Sequence, residues 1–193
     1  MIIAPMIIGL SHSVETDHLV AVGNMVNVKS NWLTESSKGA IWGIGHTISV
    51  TLGVLVLAMV QQYYQLELPF KLELLVAIML VGIGILRIFK LLNKKEAEIK
   101  EEKKVVFFHV GLIHGLAGSG TVAVLLSSLV AETSGKLLFL LWFGLGTIIG
   151  MGLITALLTR LKFLKPSHLD SLMFSVACLS IVFGIKIFIE QIS

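Results

Sequence analysis

Residues 12–18 read His-Ser-Val-Glu-Thr-Asp-His, so two imidazoles and two carboxylates fall within seven positions. Imidazole combined with carboxylate suits borderline divalent ions such as nickel, cobalt or zinc. Sites for magnesium or calcium are built from oxygen alone, and the histidines argue against them. His46 and His114 add two imidazoles from other apolar stretches. The candidate metal ligands are therefore His12, Glu15, Asp17, His18, His46 and His114, with no catalytic residue among them. Glu15 serves equally well as an anchor for a neighbouring helix. His109, near the end of its stretch, and His168, in a basic loop, read as structural.

Spacing constrains this set. On a straight helix His12 and His18 point about 120° apart and sit roughly 9 Å apart along the axis. They share one small ion only if that segment is broken or bent; otherwise each serves a different face or a successive site.

The elements that carry these residues are membrane segments. The chain has 193 residues, of which 55% are apolar and 14% charged, with a mean hydropathy of +0.93. A soluble domain carries roughly a quarter charged residues. The apolar residues come in six long stretches, at 1–28, 39–61, 70–92, 105–131, 137–159 and 171–192, each near or above the ~20 residues a spanning helix needs. The expected fold is an all-α integral membrane protein of six transmembrane helices. In the first stretch the run before Ser11 is too short to span, so His12 to His18 lie at membrane depth; a re-entrant segment is the alternative there. The opening MIIAPMIIGL lacks a basic n-region and reads as the start of this segment, not as a secretory signal. A single cysteine, Cys178, excludes an internal disulfide framework and any CxxC pair.

With six spans, Lys29, Lys38, Arg87, Lys90, Lys94, Lys95, Lys100, Lys103, Lys104, Arg160, Lys162 and Lys165 fall on one side, and Lys71, Lys136 and Lys186 on the other. The positive-inside bias marks the first side as cytoplasmic and puts both termini outside the cytoplasm, in a multi-pass cell-membrane protein. Arg87, Lys90 and Lys186 are expected to snorkel to the interfaces. The stretch 93–104, NKKEAEIKEEKK, reads as a charged cytoplasmic linker between a first three-helix unit, 1–92, and a second, 105–193.

The two units resemble each other. GLSHSVETDHLVAV (9–22) aligns with GLIHGLAGSGTVAV (111–124), WGIGHTI (42–48) with FGLGTII (143–149), and ILRIF (85–89) with GIKIF (184–188), in order and at an offset near one hundred. Three spans per unit is an odd number, so the second copy crosses in the opposite sense and the fold is two inverted three-helix repeats. Such repeats mark secondary transporters, whose substrate site lies near the midplane between the halves. The chemistry is asymmetric, however. Glu15, Thr16, Asp17 and His18 align with Ala117, Gly118, Ser119 and Gly120, and His46 aligns with Thr147. A ligand-bearing half faces a permissive one. The glycine pairs Gly43/Gly45, Gly144/Gly146 and Gly150/Gly152 read as helix-packing surfaces.

HSVETDH fits His-x4-Asp-His and resembles the signature of the nickel/cobalt transporter family. GIGHTISV (43–50) is similar to that family's second histidine-bearing helix, and GLIHGLAGSG to its small urease-accessory membrane branch. The resemblance spans about residues 9–152. It implies high-affinity uptake of Ni2+ or Co2+ as the transported substrate, with His12, Asp17 and His18 essential to recognition and His46 contributing. Longer members carry an extra helix ahead of the first motif, and efflux members a histidine-rich loop; the lysine–glutamate linker favours the uptake branch. The expected partners are a divalent metal ion and the lipid bilayer, with a homo-oligomer and a cytoplasmic metallochaperone compatible with them. No nucleic acid and no prosthetic group are expected. The alternative is a metal-dependent intramembrane enzyme, in which a histidine–carboxylate site holds zinc and an activated water. HExxH is absent, and the repeat argues for permeation. A thiol-redox carrier needs paired cysteines.

Overall fold

The six apolar stretches all give rise to helix, because a backbone inside a bilayer must satisfy its own hydrogen bonds. The computed structural model describes residues 3–64, 72–93, 102–129 and 133–192, and no strand occurs among them. The helices are α1 (Ile3–His12), α2 (Thr16–Met25), α3 (Trp32–Tyr64), α4 (Glu73–Leu92), α5 (Lys104–Leu129), α6 (Thr133–Leu158) and α7 (Pro166–Ile192), with a 3-10 turn at Thr159–Phe163. Among the described residues, Trp32–Val56, Glu73–Leu92, Gly135–Phe163 and Pro166–Ile192 are long and apolar enough to cross a membrane, and Ile3–His12 and Lys104–Ala117 are shorter apolar helices. Most of the charged linker, residues 94–101, lies outside the described residues.

Of the helices that start ahead of their apolar stretches, two do so for a visible local reason. The Leu33 N–H donates to Asn31 Oδ1 at 2.9 Å, an N-cap that starts α3 seven residues ahead of the expected 39 (39 − 32 = 7). Pro166 opens α7, where its fixed φ suits a first turn and its missing N–H costs nothing.

The first stretch is two helices. After His12 the ladder tightens, with Val14 N–H donating to Ser11 O and Glu15 N–H to His12 O, both at 3.1 Å. Glu15 then turns extended (φ −61°, ψ 150°), and α2 starts at Thr16. The Ser13 hydroxyl donates back to Leu10 O at 2.7 Å, the kind of local bond by which serine competes with continued helix.

Packing follows small residues, since lipid tails leave no hydrophobic drive between helices and close van der Waals contact must supply cohesion. α3 packs on α5 and α6, α1 on α6, α4 on α7 and α5, and α2 on α7 and α4. A Cβ built on Gly9 of α1 would lie 2.0 Å from the Phe143 carbonyl oxygen of α6. One built on Gly111 of α5 would lie 2.1 Å from the Trp42 carbonyl oxygen of α3. These contacts are counterparts across the sequence repeat, in which Gly9 aligns with Gly111 and Trp42 with Phe143. Gly45 against Phe108 and Gly146 against Met6 form a second such pair, and Gly84 and Gly184 abut Ala177 and Ala77 respectively.

Two charges depart from expectation. The buried residues of α4 (Val76, Ala77, Leu80, Gly84, Arg87) form one stripe at helical spacing, and Arg87 falls on it, buried rather than snorkelling. Lys38 is buried as well: its Nζ donates to Glu35 Oε1 at 2.7 Å, and Glu35 Oε2 also accepts from the Asn27 N–H at 3.3 Å. Removing one partner of a buried pair leaves an uncompensated charge. Lys38→Met should therefore cost about 3–5 kcal/mol, seen as a lower melting temperature in detergent, and Glu35→Leu/Lys38→Met should recover most of the loss.

Candidate metal centre

The break between α1 and α2 brings the motif's two histidines together. The rings of His12 and His18 have centroids 4.5 Å apart, a distance that the ~9 Å rise of a straight helix forbids. His46 arrives from the middle of α3 and His114 from α5, with centroids 5.2 Å and 4.3 Å from that of His18. His18, His46 and His114 are at most 2% exposed.

Carboxylates orient these rings. An ionised carboxylate only accepts, so the ring nitrogen facing it must carry the hydrogen. His12 Nδ1 donates to Glu15 Oε1 at 2.8 Å, which leaves Nε2 with its lone pair. His18 Nδ1 donates to Asp17 Oδ1 at 2.9 Å, and His114 Nε2 donates to Asp17 Oδ2 at 2.9 Å. Asp17 Oδ1 also accepts the His18 backbone N–H at 2.9 Å, so this one carboxylate takes three N–H groups at the positive end of α2. His12 Nε2 and His46 Nε2 face each other at 3.2 Å; the first is the acceptor, so His46 donates. Among the described residues, His18 Nε2, His46 Nδ1 and His114 Nδ1 are buried without a hydrogen-bond partner. A buried polar nitrogen left in that condition is costly unless something else uses it.

The donors fall into two groups, His12 with His18 and His46, and Asp17 with His18 and His114, the donor atoms in each lying within 4.8 Å of one another. Indole walls them in: Trp42 stacks on His46 at 5.2 Å and 12° and meets His18 edge-on at 5.0 Å. A cavity of about 350 Å3 is lined by all six sequence candidates (His12, Glu15, Asp17, His18, His46 and His114). Glu73, in the first turn of α4, and Glu190, near the end of α7, line it too.

His109 and His168 stand apart. His109 is exposed, its Nδ1 donating to Val105 O at 2.7 Å, and His168 is exposed in the first turn of α7. Thr147, the counterpart of His46, donates to Phe143 O at 3.1 Å and serves packing. Ala117, the counterpart of Glu15, is buried and lines the cavity, while the surroundings of Gly118, Ser119 and Gly120 lie outside the described residues. Sequence reasoning missed Trp42, Glu73 and Glu190. The two glutamates carried a signal: each sits at the end of its stretch that the charge bias puts outside the cytoplasm.

No family model matches the chain, and no solved structure matches it. The chain is 32% identical over 166 residues to urease accessory protein UreH of Bacillus sp. strain TB-90, covering 79% of this chain and 73% of that protein.

Proposed function

Since the chain belongs to the family of urease accessory protein UreH, the small urease-accessory branch of the nickel/cobalt transporter family, we propose that it is a membrane permease that takes up Ni2+ or Co2+ through an intramembrane histidine–aspartate site. The observation that carries this reading is the convergence of four imidazoles and Asp17 on one cavity, three of the rings being buried and each of those keeping a nitrogen without a partner. Neutral imidazole nitrogen suits Ni2+ and Co2+, and a single carboxylate lowers the net charge of the bound ion without making an oxygen-only site.

In this reading the six segments are two inverted three-helix repeats, residues 1–92 and 105–193, joined by the charged linker. The matching contacts of Gly9 on Phe143 and Gly111 on Trp42, and of Gly45 on Phe108 and Gly146 on Met6, support that arrangement, because a two-fold axis would map each onto its counterpart. The basic side faces the cytoplasm and both termini face out. Glu15, Glu73 and Glu190 then line the outer part of the cavity and draw cations toward it, an effect that salt screens. The ion exchanges its water for imidazole nitrogen, is held tightly enough to be selected and weakly enough to leave, and is released inward. A cytoplasmic metallochaperone and self-association are compatible with it.

The test is uptake by proteoliposomes of the purified full chain. Ni2+ and Co2+ should accumulate well above protein-free vesicles, and Mg2+ and Mn2+ should not. Equal accumulation of Mg2+ would remove nitrogen ligands as the selecting element. Absence of any metal flux would overturn the transport reading.

A further inference from the structure

Resting on that transport reading, we propose that the site comprises two overlapping stations sharing His18, so that one ion is held at a time and is handed from one station to the other by that ring. The first station is His12, His18 and His46; the second is Asp17, His18 and His114.

Four imidazoles around one cavity could instead converge on a single point, but among the described residues the donor atoms gather in two groups, each within 4.8 Å, and not in one. The centroids of His46 and His114 are 6.3 Å apart, while that of His18 lies 5.2 Å from one and 4.3 Å from the other, nearer to each than they are to one another. At metal–nitrogen bonds of about 2.1 Å, neighbouring ligand atoms on one ion lie roughly 3.0–3.4 Å apart. The His12 Nε2–His46 Nε2 separation of 3.2 Å has that length on one side of His18. On the other side, the two ring contacts to Asp17 are 2.9 Å each. A ligand edge is therefore already formed in the first station, the second is held together by hydrogen bonds that an ion would replace, and among the described residues His18 alone is common to both.

The hydrogen bonds describe the difference between the stations. In the first, His18 ligates through Nε2, now buried without a partner, while Nδ1 keeps its bond to Asp17, and His46 ligates through Nε2 once the hydrogen there has moved to Nδ1, its nitrogen without a partner. In the second, Asp17 and the nitrogens that now face it become the ligands. The hydrogen on His18 Nδ1 moves to Nε2 and that on His114 Nε2 to Nδ1, so each ring stays neutral and no proton is gained or lost. The buried nitrogens without partners are the places these hydrogens go. Because both stations need the His18 ring, they cannot be filled together, and occupancy passes between them instead of adding up.

The test uses the purified full chain in detergent, with Co2+ as the probe, because its visible absorption reports ligand type and geometry. Wild type should bind one Co2+ per chain. His46→Gln and His114→Gln should each still bind one Co2+, with affinity lowered about tenfold or more and with visible spectra that differ from each other. Both should lose transport, since each breaks one end of the path. His46→Asn and His114→Asn serve where a glutamine variant does not give folded protein by size exclusion. Two Co2+ per wild-type chain would overturn the shared ring in favour of independent sites. Loss of all Co2+ from either folded single variant would overturn two stations in favour of one joint centre. No Co2+ binding by wild type would overturn the transport reading beneath both.

Discussion

His18→Ala should abolish Ni2+ accumulation in proteoliposomes, with at least a ~100-fold loss of initial rate, while leaving a folded protein. The ring is the common member of both donor groups and is almost fully buried between Trp42, His46 and His114, so nothing nearby replaces its nitrogens. Asp17→Asn should be nearly as severe, about 10–100-fold, although it changes no volume. An aspartate accepts on both oxygens and here takes His18 Nδ1 on one and His114 Nε2 on the other. An asparagine offers one acceptor and one donor, so one of the two rings is met by N–H against N–H and must flip its tautomer or swing away. Glu15→Gln should cost far less, because Glu15 is exposed and holds His12 by one bond. The ordering His18→Ala, then Asp17→Asn, then Glu15→Gln is the discriminating result. Equal rates for Asp17→Asn and wild type would remove Asp17 from both orienting and binding.

The second large effect is on assembly. Gly111→Leu should yield no monodisperse protein in detergent, and Gly111→Ala should lower stability by about 1–3 kcal/mol. The obstacle is backbone: the added Cβ meets the Trp42 carbonyl oxygen at 2.1 Å and the His46 nitrogen at 3.1 Å, and neither can rotate away. α5 would have to withdraw from α3, carrying His114 from His46. Gly9→Ala, its counterpart on α1, should behave similarly. Gly82→Ala is the contrast, since a Cβ there has nothing within 4 Å; in mid-helix it should be neutral or slightly stabilising. Thermal unfolding of the alanine variants separates close approach from a general intolerance of glycine replacement.

Much of this was legible in the residues. Helix arithmetic applied to His12 and His18 stated the condition for them to meet, a segment that is not straight, and the structure meets it with the turn at Ser13–Glu15. The alignment of Gly9 with Gly111 pointed to equivalent positions, and each makes the same kind of backbone contact. Other features were hidden because they depend on which face of a helix packs. Lys38 looked like one more cation of the basic, cytoplasmic side, yet it is buried against Glu35 three residues earlier. Arg87 looked free to reach the surface, but the register of α4 puts it on the packed stripe. Glu73 and Glu190 are far apart in sequence, and only the pairing of α4 with α7 brings both to one cavity.

The turn at Ser13–Glu15 has a mechanical consequence. α1 is fastened to α6, whereas α2 is fastened chiefly to α7 and α4. His12 is thus carried by one packed group of helices and His18 by another, with the short turn as the covalent link between them. In the proposed permease, an ion held by both rings would span that turn and fix the angle between the two groups, and its departure would free it, so that binding and shape would be tied together through seven residues.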